Sequence, residues 1–296
     1  MAAEHIGGAD GNQKASQERA SAHGSSSETV CRARVVRKNS YTASAEGMLV
    51  QDAEVLFERG NRQSQTTIII PLYNYAHHIE QALQSAAAQS TDDVMILVVD
   101  DCSTDQSVET VLKWMKMQTG RKGLTLLKNS KNSKLSITRN TGINYSRSEY
   151  CFMLDADNIV YPRCVEKHVQ ALEARPEADA AYSLIEVFEG RRDVIGAGVF
   201  IKEGLIHGNF IDAMAMFRRS ALLAMNGYEN LRHGWEDYEL WLRMIEQKKI
   251  AIHIPEILSR YRQHERSMLR TQTNRGDNNI ELRAYMKKRF SWLDLH

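Results

Sequence analysis

An α/β fold is predicted over residues 65–267 of this chain: one domain, with a mostly parallel central sheet flanked by helices. Three observations predict it. Short apolar, β-branched runs alternate with helix-like segments. The spacing between runs leaves room for a helical crossover, which implies parallel pairing with right-handed connections. Two of the runs end in aspartates, Asp100–Asp101 and Asp155 with Asp157, and in such sheets ligands gather at the carboxyl ends of strands.

Each element follows in order. Residues 67–71 are β-branched and end at Pro71, as a buried strand does. Residues 79–88 are Ala-rich and helical. Residues 94–99 form a second apolar strand, 105–117 a helix and 124–127 a third strand. Residues 138–145 read as a short helix opened by Arg139. Residues 150–154 are a fourth strand, and 164–174 a helix stopped near Pro176. Beyond residue 178 the pattern is mixed: strands at 180–187, 213–217 and 251–254, and an amphipathic helix at 235–246. Residues 268–296 form a polar C-terminal extension, helical at 279–290.

Residues 1–64 differ in texture and are expected to be low-complexity and partly helical. Residues 1–29 hold almost no large apolar side chain, so disorder is expected there. Residues 31–38 carry Arg32, Arg34, Arg37 and Lys38, a solvated basic stretch. Residues 48–59 are expected to form one helix.

The apolar fraction of 43% and charged fraction of 25% are those of an ordinary globular chain. A formal net charge of +1 gives no sign of a nucleic-acid surface. The longest apolar run, 67–72, is far too short to span a bilayer. The start of the sequence is polar and lacks the apolar core of a signal peptide, so a cytoplasmic location is expected, with peripheral membrane contact left open. The four cysteines show no C-x-x-C spacing, and neither a disulfide framework nor a zinc site is expected. Cys151 and Cys164 read as small buried hydrophobes, and the acids beside Cys102 should raise its thiol.

Six segments carry chemistry. In TTIIIPLYN, residues 66–74, a strand tip exposes Tyr73, whose phenol can stack on a nucleobase. In VVDDCSTDQS, residues 98–107, a carboxylate at a strand tip can accept the imide N–H of uracil, while Ser103 or Thr104 caps the next helix. No G-x-G-x-x-G occurs, which argues against a dinucleotide site. In SITRNTGIN, residues 136–144, the guanidinium fork of Arg139 matches phosphate oxygens. In FMLDADNIV, residues 152–160, an apolar strand delivers Asp155 and Asp157, two carboxylates suited to a hard divalent ion. In HGWEDYELWLR, residues 233–243, Glu236 and Asp237 open a helix beside two tryptophans, where a carboxylate makes a general base. Asp237 is expected to be ionised at neutral pH, because the helix N-terminus favours its charge. In SRYRQHERS, residues 259–267, His264 could complete a metal or diphosphate site.

In this order the segments P-L-Y-N, V-D-D-C-S-T-D, R-N-x-G, L-D-A-D-N, W-E-D-Y-E-L-W and H-x-x-S resemble the family-2 glycosyltransferases of GT-A fold, over residues 66–267. The resemblance implies an inverting transfer of one sugar from a nucleotide-diphosphate sugar, with uracil the implied base, to an acceptor hydroxyl. The acceptor would be a glycan, a lipid-linked sugar or a protein. Tyr73 and Asp101 would hold the base, with Pro71, Asn74 and Asp100 beside them. Arg139, Asp155 and Ala156 would complete the donor site. Asp157, with Asp155 and His264, would hold a divalent cation, Mn2+ or Mg2+. Asp237 would be the base, with Glu236 beside it. The family's usual glycine after the paired acids is Cys102 here, and the Q-x-x-R-W motif of processive synthases is absent. Two other readings stay open on the residues alone. One is a haloacid-dehalogenase-type phosphohydrolase with Asp155 as nucleophile and Asp157 as acid. The other is a non-catalytic nucleotide- or glycan-binding module.

Overall fold

A computed structural model describes residues 40–41, 47–60, 63–120, 123–265 and 267–295. The disorder expected for 1–29 and the basic stretch at 31–38 lie outside the described residues.

The elements run β1 (Ser40–Tyr41), β2 (Ala53–Arg59), β3 (Thr66–Leu72), α1 (Ile79–Ala87), β4 (Val94–Asp100), α2 (Ser107–Met117), β5 (Leu124–Asn129), α3 (Lys134–Tyr145), β6 (Tyr150–Met153) and β7 (Ile159–Val160). They continue as α4 (Cys164–Ala174), β8 (Ala180–Phe188), β9 (Asp193–Ile195), α5 (Lys202–Leu205), β10 (Ala215–Arg218), α6 (Arg219–Ala224), α7 (Glu236–Glu246), β11 (Ala251–Arg262) and α8 (Gly276–Arg289).

All strands join one sheet, in the order β1-β2-β5-β4-β3-β6-β10-β8-β11-β7, with β9 on β8. The centre, β5-β4-β3-β6, is parallel, as the crossover spacing requires. Beyond β6 the sheet turns mixed: β10 runs antiparallel to both β6 and β8. On the β6 side the ladder of β3 ends at the Ile69–Met153 pair, so Pro71, which has no N–H to give, sits where pairing has stopped. Strand alternation splits the core. Ile68, Ile70, Val98 and Phe152 face α1, α2 and α4. Ile69, Leu97, Val99 and Met153 face the opposite way, with Ile143 of α3, Trp241 of α7 and Met286 of α8.

Four expectations are corrected. Residues 53–59 are a strand, not part of a helix: Ala53, Val55 and Phe57 are buried and alternate with half-buried neighbours, a period of two. β2 pairs with β5, so the domain begins before residue 65. The C-terminal segment is helical, but it is part of the core rather than an appendage: Met286 and Phe290 are fully buried. β11 is far longer than 251–254, because it runs parallel to β8 through to Arg262. No helix of the described residues is long and apolar enough to cross a membrane.

Candidate active site

The site lies at the carboxyl edge of β3, β4 and β6. Its first part is the loop after β4. Asp101 is buried, and its carboxylate accepts three hydrogen bonds: from Asn129 Nδ2, the Ser133 N–H and the Lys134 N–H, each at 2.8 Å. A carboxylate offers about four acceptor positions, so one is left. Asp100 accepts the Ser103 N–H at 3.1 Å, and burial raises its pKa. Asn74, at φ 60°, accepts the Thr104 N–H at 2.7 Å, while its own N–H donates to Ser103 Oγ at 3.0 Å. Cys102 has φ 62°, the left-handed conformation that glycine adopts without strain, which explains what the family glycine does. Its thiol is raised, by burial first and then by Asp101 and Asp100. Tyr73 stands 45% exposed at the tip of β3, free to meet a flat ring.

The second part is a bridge. Arg139 is not at a helix start but inside α3, and it is 1% exposed. One terminal nitrogen donates to Asp155 Oδ1 at 2.7 Å and the other to Glu236 Oε1 at 2.6 Å. Its guanidinium lies over the Tyr228 ring, 5.2 Å from the centroid. Asn140 clamps the Tyr228 backbone on both sides, at 2.7 and 2.9 Å. Gly142 lets α3 settle on β3, since a Cβ there would meet Ile69 at 2.5 Å. The R-N-x-G segment is thus a packing device that aims one guanidinium at two acids.

The third part is α7 and the segment before β10. Trp235 precedes α7 at φ 63°, a strained conformation for a bulky side chain. Asp237 is half-buried; Tyr238 N–H donates to its Oδ1 at 2.7 Å and Asn209 Nδ2 to its Oδ2 at 3.0 Å. Burial, Glu236 and Asp212 push it up to about 8, against the pull of Arg139. The expected ionisation at neutral pH is therefore reversed: burial and two neighbouring acids outweigh the helix N-terminus. Burial and then Asp155 push Asp212 up to about 7. Trp241 is not a cleft wall; it is fully buried and stacks on Phe217 at 5.1 Å.

The fourth part joins β6 to β11. His264 Nε2 lies 2.9 Å from Asp157 Oδ2. The Tyr75 hydroxyl also bonds Asp157; burial, then Asp157 and Asp155, hold that phenol far above its usual range. Arg262 donates to the Asp157 carbonyl at 2.8 Å, and its own N–H to Asn158 Oδ1 at 2.9 Å. Ala156 is buried between the two aspartates.

Comparison with known proteins shows the family. The model of glycosyl transferase family 2 matches residues 67–224, more than half of the chain. The chain belongs to glycosyl transferase family 2.

EpsE of Bacillus subtilis, named as a glycosyltransferase, is 25% identical over 210 residues, spanning 69% of this chain and 74% of its own. An uncharacterized glycosyltransferase of Haemophilus influenzae is 26% identical, over 67% of this chain and 65% of its own. The S. aureus TarS structure holding UDP-GlcNAc superposes with TM-score 0.60 at 17% identity, over 70% of this chain and 61% of its own. The mannosyltransferase PcManGT of Pyrobaculum calidifontis, holding GDP-Man and Mn2+, gives 0.55 at 21%, over 70% and 59%. The last two likenesses show the fold. For most of these relatives, then, the chain spans about two thirds of their length or less. Family membership removes the binding-module and phosphohydrolase readings. The latter also needs Asp155 as a nucleophile, and Arg139 holds it.

Within this family-2 chain, sequence reasoning missed Asn209, Asp212, Tyr75 and Arg262. Asp212 had a signal: it precedes the apolar strand β10, as Asp155 follows β6. Because β10 is antiparallel to β6, its beginning lies at the end of β6. Continuing that register brings Asp212 level with Ala156. Among the described residues no group of three His, Cys, Asp or Glu could hold a metal ion unaided. Asp157 and His264 converge at 2.9 Å, a carboxylate oxygen and an imidazole nitrogen that would serve a divalent cation only with phosphate oxygens completing the shell. Asp155 is turned to Arg139 instead.

Proposed function

We propose that the chain transfers a single sugar from a UDP-sugar to an acceptor hydroxyl, with inversion and with divalent-metal assistance. One observation carries this. Of the two acids that open α7, Arg139 takes Glu236, and Asp237 is turned to the cleft beside Asp212. In this reading Tyr73 stacks on the uracil. The remaining acceptor position of Asp101 takes the N3–H. Asp157 and His264 hold the cation, which when bound neutralises charge on the diphosphate. The acceptor oxygen attacks the anomeric carbon from the face opposite the diphosphate. The bond from that carbon to the diphosphate oxygen breaks, and the acceptor proton passes to Asp237.

A base raised to about 8 ionises only partly at neutral pH, so turnover should climb through the neutral range and level above it. The positive charge of a bound cation would move that limb to lower pH.

Activity is assayed against a panel of UDP-sugars with Mn2+. Asp237→Asn should lower kcat by about 10² or more with donor affinity nearly intact. EDTA should abolish transfer in the unsubstituted protein. A wild-type rate for Asp237→Asn would sink the base assignment, and full activity in EDTA would sink the metal.

A further inference from the structure

Asp237 does not face the cleft with both oxygens equivalent. Its Oδ1 accepts the N–H of Tyr238, its own helix neighbour, at 2.7 Å. Its Oδ2 accepts Asn209 Nδ2 at 3.0 Å, from the segment before β10 rather than from α7. The Asn209 amide cannot turn round without loss, because its Oδ1 accepts the Ile211 N–H at 3.1 Å. Two hydrogen bonds at opposite oxygens fix the plane of a carboxylate, and with it the direction of the remaining lone pairs. The segment carrying Asn209 is itself wedged. Phe210 fills the space over Gly198, where a Cβ would meet the ring at 2.5 Å, and lies 3.3 Å from a Cβ at Gly204.

We propose that Asn209 is the positioning residue of the base, holding the Asp237 carboxylate in the plane that presents a lone pair to the acceptor hydroxyl. This rests on Asp237 being the base. Asn209 takes no proton itself; it acts through Asp237. A hydrogen bond to the ionised carboxylate also favours that form, so Asn209 works against the crowding that raises Asp237. The charged and titratable groups around Asp237 are Glu236 on its own helix, Asp212 before β10, Arg139 on α3, and Tyr228 and Tyr261. Arg139 already serves two acids, which leaves the Asn209 amide as a side-chain donor aimed at this one.

The test is the titration of Asp237 in the full chain, followed by carboxyl NMR on protein labelled with 13C-aspartate, without metal or donor. Asp237→Asn identifies the resonance. Asn209→Asp separates positioning from mere structure. It keeps an acceptor for the Ile211 N–H, and so the turn, but replaces the donor to Asp237 with a second acid. Its midpoint for Asp237 should rise by about one unit or more, and that of Asn209→Ala by about half a unit. In a folded Asn209→Asp protein, a midpoint unchanged from wild type overturns the proposal, since a residue that only shapes the turn would behave so. Turnover of Asp237→Asn is read separately. If it is lost while the Asn209→Asp midpoint stays put, only the positioning role fails. If it is retained, the base reading fails and the positioning role falls with it.

Discussion

The two sides of the cleft are built on opposite principles. On the side of β4, the loops after β3 and β4 spend their polar groups on protein partners. Asp101 accepts three N–H donors, Asn74 two backbone N–H groups and Asp100 one. On the opposite side, Asp155, Asp157, Asp212, Glu236 and Asp237 share a cleft in which Arg139 pairs with two of them. Burial and mutual repulsion raise Asp212 and Asp237 far above ordinary carboxylates. The first side is finished without a ligand, as a rigid recognition surface should be. The second gathers more acids than Arg139 and His264 can pair, and the like charge left over raises Asp212 and Asp237.

The largest expected effect breaks the second side at its bridge. Arg139→Ala leaves Asp155 and Glu236 without their countercharge, and Glu236 is almost wholly buried. Removing one partner of a buried pair typically costs about 3–5 kcal/mol, so the denaturation midpoint should fall steeply and activity should vanish. A midpoint equal to wild type would show that the bridge carries little.

Next is the donor side. Asp101→Asn must set an NH2 against N–H donors that now meet an oxygen. Stability should drop by about 1–3 kcal/mol. In the unsubstituted protein UDP should bind by calorimetry and CDP should not, because cytosine has no N3 proton to give. Equal affinities would remove Asp101 from base recognition and leave it the cap of the α3 entrance.

A smaller effect runs the other way. Asp212 and Asp237 are raised in the folded chain, so between about pH 4 and pH 8 the folded state binds more protons than the unfolded one. Stability should therefore fall as pH rises through that window. Asp212→Asn keeps an acceptor for the Met214 N–H and removes the charge. It should melt like wild type near pH 4 and roughly 2 °C or more higher at pH 8. No divergence between the two melting curves would argue against the crowding.

The smallest concerns Cys102. Cys102→Gly relieves a left-handed φ, worth about 1 kcal/mol, offset in part by the greater freedom of glycine in the unfolded chain. It should leave donor affinity unchanged, since Asp100 and Asp101 keep their partners.

Much of the parallel core was legible in the sequence. The runs at 67–71, 94–99 and 150–154 are β-branched or apolar enough to be strands wherever they pack, and α1 and α2 each show one apolar face. Residues 48–59 misled because a strand at the margin of a sheet alternates too briefly to outweigh helix-forming Glu and Leu. Two thirds of β11 escaped notice for a similar reason: a proline and charged residues interrupt it, and only pairing with β8 holds it extended.

By itself the sequence determined that acids end the strands and open α7. That is local: an apolar run fixes a strand's length and so where its next polar residues emerge. Which acids Arg139 pairs with was decided only by tertiary structure. Arg139 reaches Asp155, 16 residues away, and Glu236, 97 residues away, and thereby distinguishes Asp237 from its neighbour. The reversal of β10 brings Asp212 to the same edge from the opposite chain direction. Periodicity records how each segment meets the core, but a partner across the cleft depends on topology, and no pattern within a segment encodes that.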